Sequence, residues 1–156
     1  MLHTLNTHQV VPATLDEVWT FFSNPQNLNL LTPPSLHFRV HKEGAAPIYA
    51  GQIIRYTIRI LPLVRVEWVT EIKEVTPLAS FIDEQRLGPY RFWHHLHRFR
   101  EVEGGVEVSD TVHYEVGFGP LGDLLHTLWI EKELETIFAY RQKVMKELFL
   151  SPPTAS

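Results

Sequence analysis

From Leu36 to about Gly117 apolar and polar residues alternate, and a period of two is what a strand with one buried face requires. The alternation breaks at Leu61-Pro62, Thr76-Pro77, Gly88-Pro89 and Gly104-Gly105, where proline presets φ and glycine permits a positive one. These breaks predict strands near 36–42, 51–60, 64–75, 79–87, 91–102 and 105–116, with connections short enough for an antiparallel meander. Residues 2–11 also alternate and are rich in threonine and valine, which adds a first strand and makes about seven.

Between the first strand and the meander the spacing is helical. Thr14 followed by Glu17 is a capping box, in which each side chain satisfies the other's free backbone N–H, and Val18, Trp19, Phe21 and Phe22 supply an inward face. That helix should stop at Asn24-Pro25, and a second short one through Leu28 to Leu31 should end at Thr32-Pro33-Pro34, because the residue before a proline is pushed out of helical geometry. After Gly117-Phe118-Gly119-Pro120 the period becomes helical again, and Leu121 to Leu150 as one helix would run roughly 45 Å at about 1.5 Å per residue. Its second half carries Ile130, Leu134, Ile137, Phe138, Val144, Met145 and Leu148 as a single stripe. Its first half, with Leu121, Leu124, Leu125, Leu128 and Trp129, is apolar on nearly every side and must be covered twice or touch something else apolar.

A sheet with only one large helical partner has to curl around it to hide that helix's stripe. The expected fold class is therefore α+β: a curved seven-stranded antiparallel sheet, two short helices and a long C-terminal helix. At 156 residues and 44% hydrophobic content the chain can bury one sizeable core, so residues 1–150 are read as one domain and the proline-rich residues 151–156 as a disordered tail. A net charge of −4 gives no electrostatic reason to expect nucleic acid as a partner. No cysteine is present, so a thiolate metal site, a thiol nucleophile and disulfides are all excluded. With neither a leader-like N-terminus nor a spanning apolar run, the expected location is the cytoplasm.

The sequence also resembles the START-like superfamily, or SRPBCC, whose members include the major birch-pollen allergen, polyketide cyclases and aromatases, and coenzyme Q-binding proteins. The resemblance is carried by Phe81-Ile82-Asp83-Glu84-Gln85, Gly88-Pro89-Tyr90, Trp93, His95, His97, Phe99, Asp110, Val112, Tyr114 and Gly119-Pro120-Leu121-Gly122. It is similar to bacterial stand-alone or epimerase-fused ligand-binding domains of that group. What the resemblance implies is a helix-grip fold with a ligand cavity between the sheet and the last helix. It implies no particular reaction, since this fold hosts carriers, sensors and enzymes alike.

Alternation sorts the candidate site residues by face. Trp93, His95, His97 and Phe99 share one face of their strand, and so do Phe81, Asp83, Gln85 and Leu87, then Asp110, Val112 and Tyr114, then Ile54, Tyr56 and Ile58, then Trp68, Thr70 and Ile72. This face is assigned to the cavity because it holds both Trp68 and Trp93, although a one-residue phase error would exchange it for Phe92, His94 and Leu96. The predicted ligand-binding set is Tyr56, Trp68, Phe81, Asp83, Gln85, Trp93, His95, His97, Asp110, Tyr114, Phe138 and Arg141.

Buried carboxylates need partners, and His95 and His97 are the nearest ones. The same residues with Asp83 or Asp110 could ligate a metal, but paired histidines and carboxylates also satisfy one another, so no metal and no cofactor are expected. Arg141 interrupts the apolar stripe, where it either reaches Asp83, Asp110 or a ligand carboxylate, or packs its stem and extends its head to water. His3, His8, His37, His41, His94, His113 and His126 are read as surface or packing residues, and Asp123, Glu131, Lys132, Glu133 and Glu135 as a solvated helix face.

Nucleotide, zincin and serine-hydrolase signatures are absent. The leading expectation is binding of a small hydrophobic or amphipathic molecule such as a lipid, quinone, isoprenoid or polyketide-like aromatic, with the apolar start of the last helix as its entrance. A cyclase or dehydratase using the His–Asp cluster and a carrier that docks transiently on a membrane or partner are the alternatives.

Overall fold

A computed structural model of the chain describes residues 1–41, 47–61, 64–117, 119–125 and 129–150. The expectations for Pro62, Phe118, His126, Leu128 and the tail after Leu150 lie outside the described residues.

Seven strands form one antiparallel sheet: β1 (His3–Val11), β2 (Arg39–Val40), β3 (Ile53–Leu61), β4 (Val64–Thr76), β5 (Ser80–Leu87), β6 (Phe92–Val102) and β7 (Gly105–Glu115). β2 to β7 lie across it in chain order and β1 closes beside β7. β7 alternates buried and half-buried residues along its whole length, the signature of a sheet covered on one face. Register shifts between Val69 and Thr70 and between Ile72 and Glu74 place bulges in the β4–β5 pair, and bulges bend a strand and increase its twist.

The strand predicted over 36–42 is reduced to Arg39–Val40. Pro34–Leu36 instead form a 3-10 turn ended by His37 in the left-handed region (φ 44°, ψ 42°), so the chain is still turning where the alternation suggested extension.

The first helix, α1 (Leu15–Phe22), carries the expected capping box: the Thr14 N–H donates to Glu17 Oε2 at 2.8 Å and the Glu17 N–H to Thr14 Oγ1 at 3.3 Å. A 3-10 turn at Pro25–Asn27 follows, and then α2 (Leu28–Leu31), a single turn. At the other end of the chain the single predicted run is, among the described residues, two elements, α3 (Gly119–Leu125) and α4 (Glu131–Leu150). Trp129 and Ile130 take π-helical geometry immediately ahead of α4. Leu121 and Leu124 are exposed.

On α4 the buried residues are Leu134, Phe138, Arg141 and Met145, a stripe laid on the concave face of the sheet. Leu148, predicted on that stripe, is exposed. Phe149 occupies the inward position and packs its ring edge-on against Phe21 of α1, 5.7 Å between centroids. One apolar cluster gathers Val18, Phe22, Phe99, Val106, Val108 and Met145, and a second gathers Trp93, Val112, Tyr114, Leu134 and Phe138. Along β6 and β7 the polar residues His95, His97 and Asp110 lie between the two.

Candidate ligand-binding site

Strand register alone brings the polar residues together. Asp83 on β5 faces His95 on β6, and His97 on β6 faces Asp110 on β7. Because all four point to the concave face, they meet beneath α4, whose Arg141 closes the group from above. His97 Nε2 lies 2.6 Å from Asp83 Oδ2 and its Nδ1 lies 3.1 Å from Asp110 Oδ1. His95 Nε2 lies 2.9 Å from Asp110 Oδ1, while its Nδ1 is 3.6 Å from Asp83. Arg141 donates to Asp110 Oδ1 at 3.1 Å, and Thr7 of β1 donates to the other oxygen at 3.3 Å.

The electrostatics follow from that geometry. Burial alone would raise the Asp110 carboxyl, but the Arg141 guanidinium and the hydrogen bonds from both histidines hold it well below the usual carboxylate range. Asp83 is pushed up by burial too, yet the charge of His95 and the hydrogen bond from His97 lower it on balance. His97, flanked by carboxylates at both ring nitrogens, is raised although burial works against it. For His95 burial dominates, reinforced by the neighbouring His97, and lowers it. The cluster thus sets two carboxylates against one guanidinium and two imidazoles whose affinities for a proton are moved in opposite directions.

Rings hold these groups in place. Phe81 stacks on His97 with centroids 4.0 Å apart and planes 18° apart, and Arg141 lies over the rings of Phe22 and Phe138 at 5.2 and 5.8 Å. Asp83, His95 and His97 each offer a ligating atom within 4.8 Å of the others. In the structure those atoms are engaged with one another and with Asp110, and the two imidazoles lie 3.7 Å apart with planes 31° apart.

Above the cluster a cavity of about 370 Å³ lies between the concave face of the sheet, α1–α2 and α4. Of the residues predicted for the site, Tyr56, Trp68, Phe81, Asp83, Trp93, His95, His97, Phe138 and Arg141 line it. Gln85, Asp110 and Tyr114 do not. Gln85 turns instead to the β5–β6 connection, where its amide donates to the Tyr90 carbonyl at 2.6 Å and accepts from the Tyr90 N–H at 3.2 Å, locking the Gly88-Pro89 turn. Asp110 stands behind the histidines that cover it, and Tyr114 packs with Tyr90 and Trp93, outside the cavity wall.

Arg141 is only 5% exposed, so of its two sequence-stated alternatives the ion pair with Asp110 holds and the extension to water does not. Sequence reasoning placed Glu133 on a solvated helix face, but it lines the cavity, while Glu131, Lys132 and Glu135 are exposed. Its position directly before the buried Leu134 was the available signal. Polar Asn24, Asn27 and Thr32, from the connections around α2, also reach the cavity, and no periodicity marked them. Trp129 lines it while 45% exposed, and so stands where the cavity meets the surface.

No known family matches the sequence, and no curated protein matches it either. Solved structures do. A Chromobacterium violaceum protein superposes with a TM-score of 0.74 at 14% identity, covering 96% of this chain and 99% of its own. The chain has the helix-grip fold. Other helix-grip neighbours are a point mutant of Thalictrum norcoclaurine synthase bound to a transition-state analogue (TM-score 0.66, 15% identity, 96% of this chain and 95% of that one) and the di-domain ARO/CYC StfQ of the steffimycin biosynthetic pathway. The latter gives a TM-score of 0.72 at 8% identity, and this helix-grip chain, 96% of it aligned, spans 51% of the di-domain protein. No described helix is long and apolar enough to cross a membrane.

Proposed function

We propose that this chain binds a small, largely apolar organic molecule in the cavity between sheet and α4, with residues 1–150 acting as one cytoplasmic binding unit. The observation that carries the reading is the cavity itself: about 370 Å³, walled by aromatic and aliphatic side chains, with Asp83, His95, His97 and Arg141 forming a polar cluster at one place on its surface. That size and that ratio of apolar wall to a few polar anchors are those of small-molecule sites. A domain selected for stability alone would fill such a space, because unfilled volume forfeits packing energy. Lipid, quinone, isoprenoid and polyketide-like ligands all belong to the class.

The test is saturable binding of N-phenyl-1-naphthylamine, followed by fluorescence and by thermal shift. One site per chain is expected, with the melting temperature rising with probe concentration as mass action requires. Leu134→Trp, which fills the cavity from α4, should abolish the signal while the fold is retained. Absence of both fluorescence saturation and thermal stabilisation in the unsubstituted protein would remove the reading.

A second reading, proton-transfer catalysis of the cyclase or dehydratase kind, is favoured by one further observation: Asp83, His95 and His97 all line the cavity, and His97 holds a proton against Asp83 at 2.6 Å. Turnover of a hydroxylated or polyketide-like ring that His97→Gln removes without loss of ligand binding would select it over simple carriage.

A further inference from the structure

The convex face of the sheet carries a row of polar side chains that the cavity does not use. Register sets Thr4 of β1, His113 of β7, His94 of β6 and Glu84 of β5 beside one another across four strands. Alternation turns His94 and His113 away from the concave face, to which their sequence neighbours Trp93, His95, Val112 and Tyr114 are buried. The side chains of His94 and Glu84 are 28% and 25% exposed, and His113 is half-buried, so the row is open to solvent yet held by its neighbours.

Each imidazole in the row is fixed at one nitrogen and open at the other. His94 Nδ1 lies 2.9 Å from Glu84 Oε1, and His113 Nδ1 lies 2.9 Å from Thr4 Oγ1. A carboxylate only accepts, so Nδ1 of His94 carries the hydrogen, and the threonine hydroxyl accepts from His113 in the same way. Among the described residues neither Nε2 has a hydrogen-bond partner. Histidine ligands of metals are oriented like this, with one N–H tied to an oxygen and the lone pair of the other nitrogen left over. In the buried pair His95 and His97, by contrast, all four ring nitrogens lie within 3.6 Å of an Asp83 or Asp110 oxygen.

The spacing fits one ion. The rings of His94 and His113 have centroids 6.2 Å apart and planes 36° apart. Zinc about 2.0–2.1 Å from a ring nitrogen sits about 3.2 Å from that ring's centre, so two rings on the same ion have centres about 5.2 Å apart at a tetrahedral angle and at most about 6.4 Å. The observed separation falls inside that span. The Glu84 carboxylate behind His94 also offsets part of the charge such an ion brings.

We propose that Nε2 of His94 and Nε2 of His113 together bind one divalent transition-metal ion of the zinc class on the convex face, with Glu84 and Thr4 holding the two rings and water filling the remaining positions. Selectivity comes from donor type: imidazole takes zinc, nickel and copper, and leaves magnesium and calcium to oxygen ligands. The site is independent of whatever occupies the cavity on the other face of the sheet.

Calorimetric titration with zinc chloride near neutral pH tests this. One ion per chain is expected, with a dissociation constant on the order of 10 μM and no heat of binding from magnesium. His94→Gln and His113→Gln should each weaken zinc binding by about tenfold or more. His3→Gln and His8→Gln, which remove imidazoles of β1 outside the row, should leave it within about twofold. On the unsubstituted protein, zinc should shift the 15N resonances of Nε2 of His94 and His113 and leave those of His95 and His97 in place, which decides the ligands even if a variant does not fold. Unchanged zinc affinity in both row variants, shifts confined to His95 and His97, or no zinc binding below about 1 mM would overturn the inference.

Discussion

Asp110 joins three elements through one carboxylate, accepting from Thr7 of β1, from His95 of β6 and from Arg141 of α4. Removing one member of a buried ion pair leaves the other charged and unsolvated, which typically costs about 3–5 kcal/mol. Asp110→Ala should therefore lower stability by about that much in urea unfolding, and Asp110→Ala with Arg141→Met should recover part of the loss. The cluster also fixes the response to pH. Asp83 and Asp110 titrate lower in the folded protein than in the unfolded chain, so their stabilisation is present above the unfolded value near 3.9 and is lost as pH falls from there through their lower folded values. His97, raised, contributes stability below about 6.5 that fades as pH rises through its folded value; His95, lowered, contributes above about 6.5 and loses it on acidification. The histidines oppose each other across neutrality. The midpoint of thermal unfolding should stay nearly level there and fall on the acid side, with a shallower fall in Asp110→Asn. At this scale the sequence was readable wherever a side chain broke a pattern: His95 and His97 alternate with neighbours of the opposite face, and Arg141 interrupts an apolar stripe. Gln85 and Tyr114 kept the pattern yet left the wall, because a hydrogen bond to a turn and a stack of rings settled their places, and neither is encoded in spacing.

Among the elements, the long strands and α1 were legible because alternation and a capping box are local. The short β2 was not, since Pro34 and the left-handed His37 override the alternation around them. The last helix was legible as a stripe but not in its phase at either end, where the π-helical residues and Phe149 decide which side turns inward. One junction gives a sharp test. Gly105 opens β7 at φ 142°, and a Cβ there would collide with the backbone carbonyl of Val11 at the end of β1. Gly105→Ala should destabilise by about 1–3 kcal/mol, read by denaturant midpoint, whereas alanine at Gly104, with open space around it, meets only the strain of its own backbone.

For the whole molecule, the curl of the sheet and the position of α4 follow from element order, while the cavity does not. Whether a curved sheet and a helix leave space between them depends on the fit of particular side chains, and composition is silent on fit. Trp129 lines the cavity while partly exposed, and so stands where the cavity meets the surface. Trp129→Ala should accelerate both uptake and release of N-phenyl-1-naphthylamine in stopped-flow mixing, with a smaller change in the equilibrium constant. Finally, β1 has a single partner strand, and that partner is β7: Thr4 meets His113, 109 residues later. During synthesis the first strand leaves the ribosome long before anything exists to receive it. It cannot take its native place before β7 has been made, so closure of the β1–β7 edge is expected only once the meander that β7 completes is available to receive it.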